Sequence, residues 1–359
     1  MPSGLNAQDS HPEIIFKAQV TKIIGQNEIT REDGSKAIQQ KLELLGLEGK
    51  LKDKTITFDG TKLDILSSDQ YKVGDKVMVD YILEPDGIEQ IYIIGFVRTN
   101  YIYLLALIFS LAVILIGGFK GLRSLIVLLL SFFIILKFII PMILAGYNPL
   151  LISIIGSAAI LITAIYITEG FKLTSTIAVG AITLSLLVTG LLATWFTVLT
   201  RLTGFANEEA SYLIGIAGGN INIQGLLLAG IIIGALGVLD DVVISQVALV
   251  EELKKANPQL TQKKLYQQAM KVGISHLSSM VNTLFLAYAG AALPLLILFT
   301  IKQAPFLTFN QVINNEIIAT EIVRTISGSI GLILAVPIST LIAAVLITAK
   351  FDKLKNPEA

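Results

Sequence analysis

The chain has 359 residues, 53% of them hydrophobic, no formal net charge and a mean hydropathy of +0.74. That is too apolar for a soluble domain of this size, and apolar runs of about 18 residues or more recur, so the chain reads as a polytopic membrane protein. The lack of cysteine excludes disulfides, Fe–S clusters and thiol catalysis; His11 and His276 are too far apart in sequence to suggest a His-based metal site; the neutral balance gives no reason to bind nucleic acid.

Residues 1–13 are a polar tail. Residues 14–97 are densely charged, with 25 of the 54 charged side chains, and their apolar stretches are short. Ile14–Ile24, Gln40–Leu47, Lys54–Phe58, Lys76–Leu83 and Glu89–Val97 read as strands. Polar turns separate them at Glu32-Asp-Gly34, Asp59-Gly60, Lys72-Val-Gly-Asp75 and Pro85-Asp-Gly87. About five short strands in this length fit a small antiparallel barrel, OB-like or SH3-like. The plain reading is a compact accessory domain, with ligand binding by its loops as the other reading; as a scaffold it would hold a protein partner. It has no aromatic-plus-basic stripe for nucleic acid.

From Tyr101 the chain is apolar enough to lie in a bilayer. Seven spans are expected, at 101–119, 124–146, 149–168, 174–200, 223–250, 277–301 and 325–349. One set of loops carries Lys120, Arg123, Lys172, Lys254, Lys255, Lys263, Lys264 and Lys271, and the 350–359 tail adds Lys350, Lys353 and Lys355. The opposite loops offer Arg201, Lys302 and Arg324. The positive-inside rule then places the tail and the 251–276 loop in the cytoplasm of a cell whose cytoplasmic membrane holds the protein. With an odd number of spans the β-domain lies outside. An exported domain needs a signal, and residues 1–13 contain no apolar core, so a cleaved signal or a further N-terminal span is expected to precede this sequence.

Between the fourth and fifth spans, an apolar piece at 211–217, too short to cross, runs into the Gly- and Asn-rich Gly215-Ile-Ala-Gly-Gly-Asn-Ile-Asn-Ile-Gln-Gly225. It reads either as a re-entrant segment or as an ordinary outer loop. In the 251–276 segment Asn257-Pro258 breaks the fifth helix, and Thr261 is placed to cap a second helix, Gln262–Ser275. Its apolar positions Leu265, Ala269, Val272 and Ile274 share roughly one face. This helix is read as a solvated connector, with lipid-surface contact as the other reading.

The chemistry centres on Asp240 and Asp241, inside Ile231-Ile-Ile-Gly-Ala-Leu-Gly-Val-Leu-Asp-Asp-Val-Val-Ile-Ser-Gln-Val-Ala-Leu-Val250. Ionisable groups at membrane depth are costly and mark ion or substrate paths. The pair lies roughly 15 Å along a helix from Glu251 and Glu252, near the midplane. Adjacent helical residues point about 100° apart, so the two need not face one cavity. Desolvation and a neighbouring like charge both favour the protonated carboxyl, which suits uptake and release of protons. Two readings stay open, proton or ion coupling and a structural pair neutralised by its neighbours. Lys137 is the other deep charge; it either reaches the Asp pair or snorkels to the outer surface. Asn282 and Thr283 of the sixth span are candidate partners, with interhelical hydrogen bonding as the alternative role for Asn282. Ser278, Ser279 and Tyr288 give the same span further polar groups, and Thr183, Ser185, Thr189, Thr194, Thr197 and Thr200 do so for the fourth. Gly230, Gly234 and Gly237 form a small face read as close helix packing. No P-loop, nucleophile elbow or HExxH motif occurs, so no enzyme is expected and no cofactor is implied.

Gly-Ala-Leu-Gly-Val-Leu-Asp-Asp-Val-Val-Ile-Ser within 230–245 and Asn282-Thr-Leu-Phe-Leu-Ala-Tyr-Ala-Gly-Ala-Ala-Leu-Pro294 resemble the YibE/F family of bacterial multi-pass membrane proteins. Lys120-Gly-Leu-Arg123 and the earlier Tyr71-Lys-Val-Gly-Asp-Lys76 fit the same family. The resemblance covers nearly the whole chain and implies its architecture more than an activity. A weaker similarity, to RND transporters and the SecD/SecF export factors, lies in the order of an acidic span, a helical connector and a polar-marked span. That analogy implies proton relay at Asp240 and Asp241, without the duplicated halves of the RND pumps. The expectation is a polytopic α-helical membrane protein of about seven spans with an N-terminal small all-β domain. It would act as a secondary transporter or permease for a small solute or ion, or as a non-transporting scaffold whose β-domain holds a partner.

Overall fold

A computed structural model describes residues 14–30, 36–61, 65–66, 70–83, 89–206, 210, 212–213, 221–302, 304 and 306–355. The turns read at Glu32–Gly34 and Pro85–Gly87, and most of the 211–217 piece, lie outside the described residues. Two compact units divide the chain, residues 1–112 and 113–359.

The first unit is built on a sheet of six strands: β1 (Ile14–Thr30), β2 (Lys36–Gly46), β3 (Thr55–Asp59), β4 (Ile65–Leu66), β5 (Lys76–Leu83) and β6 (Glu89–Phe96). Its order is β3-β2-β1-β5-β6, all antiparallel, with β4 added to β2. Alternation drives it. Leu42 and Leu44 of β2 and Val77 and Val79 of β5 point inward with Phe16, Ala18, Val20 and Phe58, and their neighbours along each strand are more exposed. The expected first strand ends at Ile24, but β1 continues to Thr30. Register shifts at Val20/Lys22 and Ile23/Gly25 let its polar second half keep pairing with β2. The sheet curls into a half-barrel, and β3 comes near β6 at its far edges. Gln40 is wholly buried and ties the 71–76 turn to the sheet. Its Nε2 donates to the Tyr71 carbonyl at 2.9 Å and its Oε1 accepts from the Tyr71 N–H at 2.9 Å.

The helices are α1 (Thr99–Ile134), a π-helical turn (Ile135–Ile139), α2 (Ile140–Leu144), α3 (Pro149–Thr168), α4 (Leu173–Leu199), α5 (Ile223–Ala256), α6 (Gln262–Ala291), α7 (Leu293–Ile301), α8 (Phe309–Ile313) and α9 (Glu316–Lys355). Among the described residues five helical runs are long and apolar enough to cross a membrane, or six if the bent pair α6–α7 counts as one. Their outward faces are apolar, as at Ile116, Phe119, Leu191 and Trp195, the reverse of a soluble surface.

The first run, Thr99–Leu144, would measure about 70 Å if straight, more than twice a bilayer core. It is not straight. Gly118 has φ 54° and ψ −133°, a backbone open to glycine. Gly121 then packs against the Val113 backbone, where a Cβ would overlap the carbonyl. Two spans were expected either side of this point; a single helical run, kinked at Gly118, occupies both stretches instead of two helices joined by a loop.

The sixth span also differs from expectation. A separate helix ending at Ser275 was expected; α6 instead runs unbroken from Gln262 to Ala291, capped by Thr261, whose hydroxyl accepts from the Lys264 N–H at 3.4 Å. The break falls at Ala292, where α6 and α7 meet at 75°. Pro294 begins α7 and cannot donate to the preceding turn, whereas no proline or glycine pair interrupts residues 274–277. Of the expected apolar face, Leu265 and Ala269 are buried, Val272 and Ile274 are exposed, and Gly273 takes the inward position.

α5 is the central helix, packed by α3, α4, α6 and α9. Its large aliphatic positions Ile231, Ile232, Leu236, Leu239, Val243, Val247 and Val250 form the buried face. Close approaches set the neighbours' directions. Gly225 lies against Pro149 and Gly190 against Ile232, and Gly331 of α9 sits on Thr189 of α4. At one end of the bundle, the Glu316 Oε1 accepts from the Thr203 N–H, the Thr203 hydroxyl and the Gly204 N–H, at 2.6, 2.7 and 3.0 Å. At the other end, Lys254 is buried and donates to the Leu260 carbonyl at 2.7 Å, closing the turn between α5 and α6.

Candidate functional site

Asp240 falls halfway along α5, about 25 Å from either end. One flank of that helix is Gly230, Gly234, Gly237, Asp241, Ser245 and Ala248, spaced by three or four residues, all exposed within the chain. The opposite flank is the buried aliphatic face. Asp240 lies on the shoulder between them and is half-buried, while Asp241 belongs to the exposed flank. The two carboxylates therefore look in different directions, as their adjacency on a helix requires.

The Asp240 Oδ1 is buried and has no hydrogen-bond partner among the described residues. A carboxylate oxygen withdrawn from water without a donor is expensive, and natural proteins keep few such groups. No hydrogen bond or ion pair among the described residues joins Asp240 to Lys137, Asn282 or Thr283. Lys137 is exposed in the π-helical turn, whose Ile139 fills the space over Gly156 of α3. Asn282 is exposed, and the exposed Thr283 turns its hydroxyl to the Ser279 carbonyl at 3.0 Å, within its own helix. The hydroxyls of Thr183, Ser185, Thr189, Thr194 and Thr200 likewise donate to carbonyls one turn back in α4, which leaves them satisfied. The Thr197 hydroxyl is buried without a hydrogen-bond partner among the described residues.

Among the described residues the glycine face is open rather than packed. A Cβ built at Gly230 or Gly237 meets nothing within 4 Å, and one at Gly234 meets only the Tyr288 hydroxyl, at 3.3 Å. The bulky aliphatic flank took the contacts with α3, α4 and α9, and glycine cannot compete for them in buried apolar area.

Two polar features of the bundle escaped the sequence reading. Gln246 is buried and donates to the Ala269 carbonyl at 3.1 Å and the Thr340 hydroxyl at 2.8 Å, joining α5 to α6 and α9. Its position, seven residues on from Leu239 on the buried face, was the available signal. Glu321 and Arg324 pair at 2.7 Å on α9, and Glu321 with Tyr288 and Thr325 lines an otherwise apolar cavity of about 280 Å³. A salt bridge three residues apart at the start of a long apolar helix was visible in principle. No group of three or more metal-ligating side chains occurs among the described residues.

Comparison with curated proteins gives no match, and comparison with solved structures gives none either. A family model described as YibE/F-like protein matches residues 105–349, well over half of the chain and all of the helices that surround Asp240. Its span covers both segments whose residues resemble that family, 230–245 and 282–294. With its apolar helices and this match, the chain is an integral membrane protein that belongs to the YibE/F-like protein family.

Proposed function

We propose that the protein is a secondary transporter or permease of the cytoplasmic membrane, coupled to protons or ions through Asp240. The observation that carries this reading is the buried, unpartnered carboxylate oxygen halfway along the central helix. A structural carboxylate would be expected to carry a lysine, an arginine or donor hydroxyls, and none is bonded to Asp240 among the described residues. An oxygen left free for a transported proton or cation accounts for its retention at that depth. Asp241, on the outer flank, is the secondary member of the site. No enzymatic step is part of this proposal.

The supporting topology has seven spans, with Gly118 dividing the first run into two crossings and α6–α7 counting as one bent crossing. The lysine-rich turns and the tail then face the cytoplasm and the β-domain lies outside. The strand order, with β3 near β6, supports an OB-like barrel for that domain.

Purified protein in liposomes with an internal pH dye tests the coupling. Proton flux driven by a solute library should be lost on Asp240→Asn and largely kept on Asp241→Asn. Flux that survives the double substitution removes the proposed role. A second reading, partner binding by the β-domain, is favoured by the exposed Ile15, Tyr92 and Ile94. Ile15 and Tyr92 align across the sheet through Asp80. Loss of a co-purifying partner on Ile94→Ser, with no flux in any condition, would select that reading.

A further inference from the structure

A small cavity, about 40 Å³, opens where α3, α4 and α5 meet, lined among others by Glu169, Thr174, Ser175, Ile244 and Ala248. It lies at the end of the bundle that carries the 169–172 turn. A cavity of this size has room for water, and both carboxylate and hydroxyl groups are there to hold it. Ile244 is four residues from Asp240, one helical turn or about 6 Å along α5, and on the same flank. The cavity therefore reaches the turn next to the buried carboxylate. Glu169 ends α3 at its mouth, about a third exposed, with Lys120 at 3.4 Å. The Ser175 hydroxyl donates to the Gly170 carbonyl at 2.6 Å, which fixes the turn beside the opening.

We propose that this cleft is the route by which water, and with it protons, reaches Asp240 from the 169–172 end of the bundle, with Glu169 at its mouth. A proton crosses from solvent along water in the cleft to the Asp240 carboxylate, and solvent supplies the next; no other reactant is required. This rests on the reading of Asp240 as the coupling group. It adds a direction of entry and two residues, Glu169 and Ile244, to which no role had been given.

The chain has no cysteine, so single substitutions report cleanly. Ala248→Cys, Ile244→Cys and a turn reporter, Gln259→Cys, would be prepared in the full chain in sealed vesicles. Each would be treated from either side with a membrane-impermeant charged methanethiosulfonate. Ala248→Cys and Ile244→Cys should react from the side that modifies Gln259→Cys, with Leu239→Cys, on the buried face, unreactive. Glu169→Trp should slow modification of Ile244→Cys at least tenfold and leave Gln259→Cys unchanged; Thr174→Trp, on the opposite lip, repeats the test if Glu169→Trp misfolds. An unreactive Ile244→Cys, one that reacts only from the opposite side, or a rate indifferent to both tryptophans overturns the route. Labelling does not depend on transport. A reactive, pluggable Ile244→Cys in a protein without flux keeps the route and removes the coupling role of Asp240. Flux abolished by Asp240→Asn with an unreactive Ile244→Cys removes the route alone.

Discussion

The same substitution, glycine to alanine, should have opposite consequences at two helical positions of this bundle. At Gly331 of α9 a Cβ would fall well inside 3.0 Å of the Thr189 hydroxyl oxygen, and 3.1 and 3.3 Å from the Thr189 Cβ and Cγ2. Thr189 is wholly buried, and its hydroxyl donates to the Ser185 carbonyl at 2.8 Å, so it cannot turn away freely. Alanine there must part α4 from α9, an overpacking cost of about 1–3 kcal/mol. At Gly230 of α5 a Cβ meets nothing within 4 Å. Both variants gain the helix preference of alanine over glycine, up to about 1 kcal/mol. That gain cancels between them, so the gap in stability is the overpacking alone. It corresponds to roughly 2–12 °C in Tm at about 2–4 °C per kcal/mol for a unit of this size. Thermal unfolding followed by the fluorescence of Trp195, in nanodiscs holding one copy, measures it. Thr189→Ala removes the hydroxyl and the Cγ2 and should restore much of the loss in a double-mutant cycle. Equal Tm values for Gly331→Ala and Gly230→Ala, with neither below that of the parent protein, would refute the reasoning at α9. A fall for Gly230→Ala as large as that for Gly331→Ala would show that something beyond the described residues covers the glycine flank.

Gln246→Leu removes two buried hydrogen bonds that join three helices, and should cost about 1–3 kcal/mol by the same unfolding assay. Glu316→Ala releases the Thr203 and Gly204 amides, so their hydrogen exchange should quicken roughly tenfold while that of α4 is unchanged. In the β-domain, hydrogen bonds to Asp59 from Lys41, at 2.7 Å, and from Thr61 hold its carboxyl down to about 2. A carboxyl lowered in the folded state stabilises above its unfolded value, about 3.9, and that contribution is lost as pH falls through about 2. Lys41→Met should raise the Asp59 titration midpoint seen by NMR towards the ordinary carboxylate range; an unmoved midpoint would exclude Lys41 as the cause.

The β-domain was legible because its strands alternate and its turns carry glycine and aspartate. What sequence could not show was the reach of β1, since Gln26-Asn-Glu28 has no apolar alternation and is held in the sheet by a partner strand and two register shifts. That long apolar helices follow residue 100 was legible from apolar length alone, though not their number. Their joints were not. Lys120-Gly-Leu-Arg123 looks like a loop by charge, yet Gly117-Gly118 lets the helix fold back without leaving helical geometry for more than one residue. Pro294 marks the break before α7, but the apolar run continues through it, so hydropathy alone does not show it.

The depth of Asp240 follows from counting residues, but its role depends on which flank of α5 it occupies, and hydropathy carries no angle. The angle was present in the spacing of Ile231, Leu236, Leu239, Val243, Gln246 and Val250, large residues that recur every three to five positions and must bury themselves first. Placing that flank inward puts Gly230, Gly234, Gly237 and Asp241 outward and leaves Asp240 on the shoulder. A small-residue stripe does not by itself fix its own direction, because glycine suits a tight contact and an open face equally well. Its bulky neighbours decide. By that rule the two adjacent aspartates should separate in every assay, Asp240 through proton uptake and Asp241 through whatever meets the outer flank of α5. In a protein that shows flux, an equal loss of it in Asp240→Asn and Asp241→Asn would mean that the flank assignment is wrong.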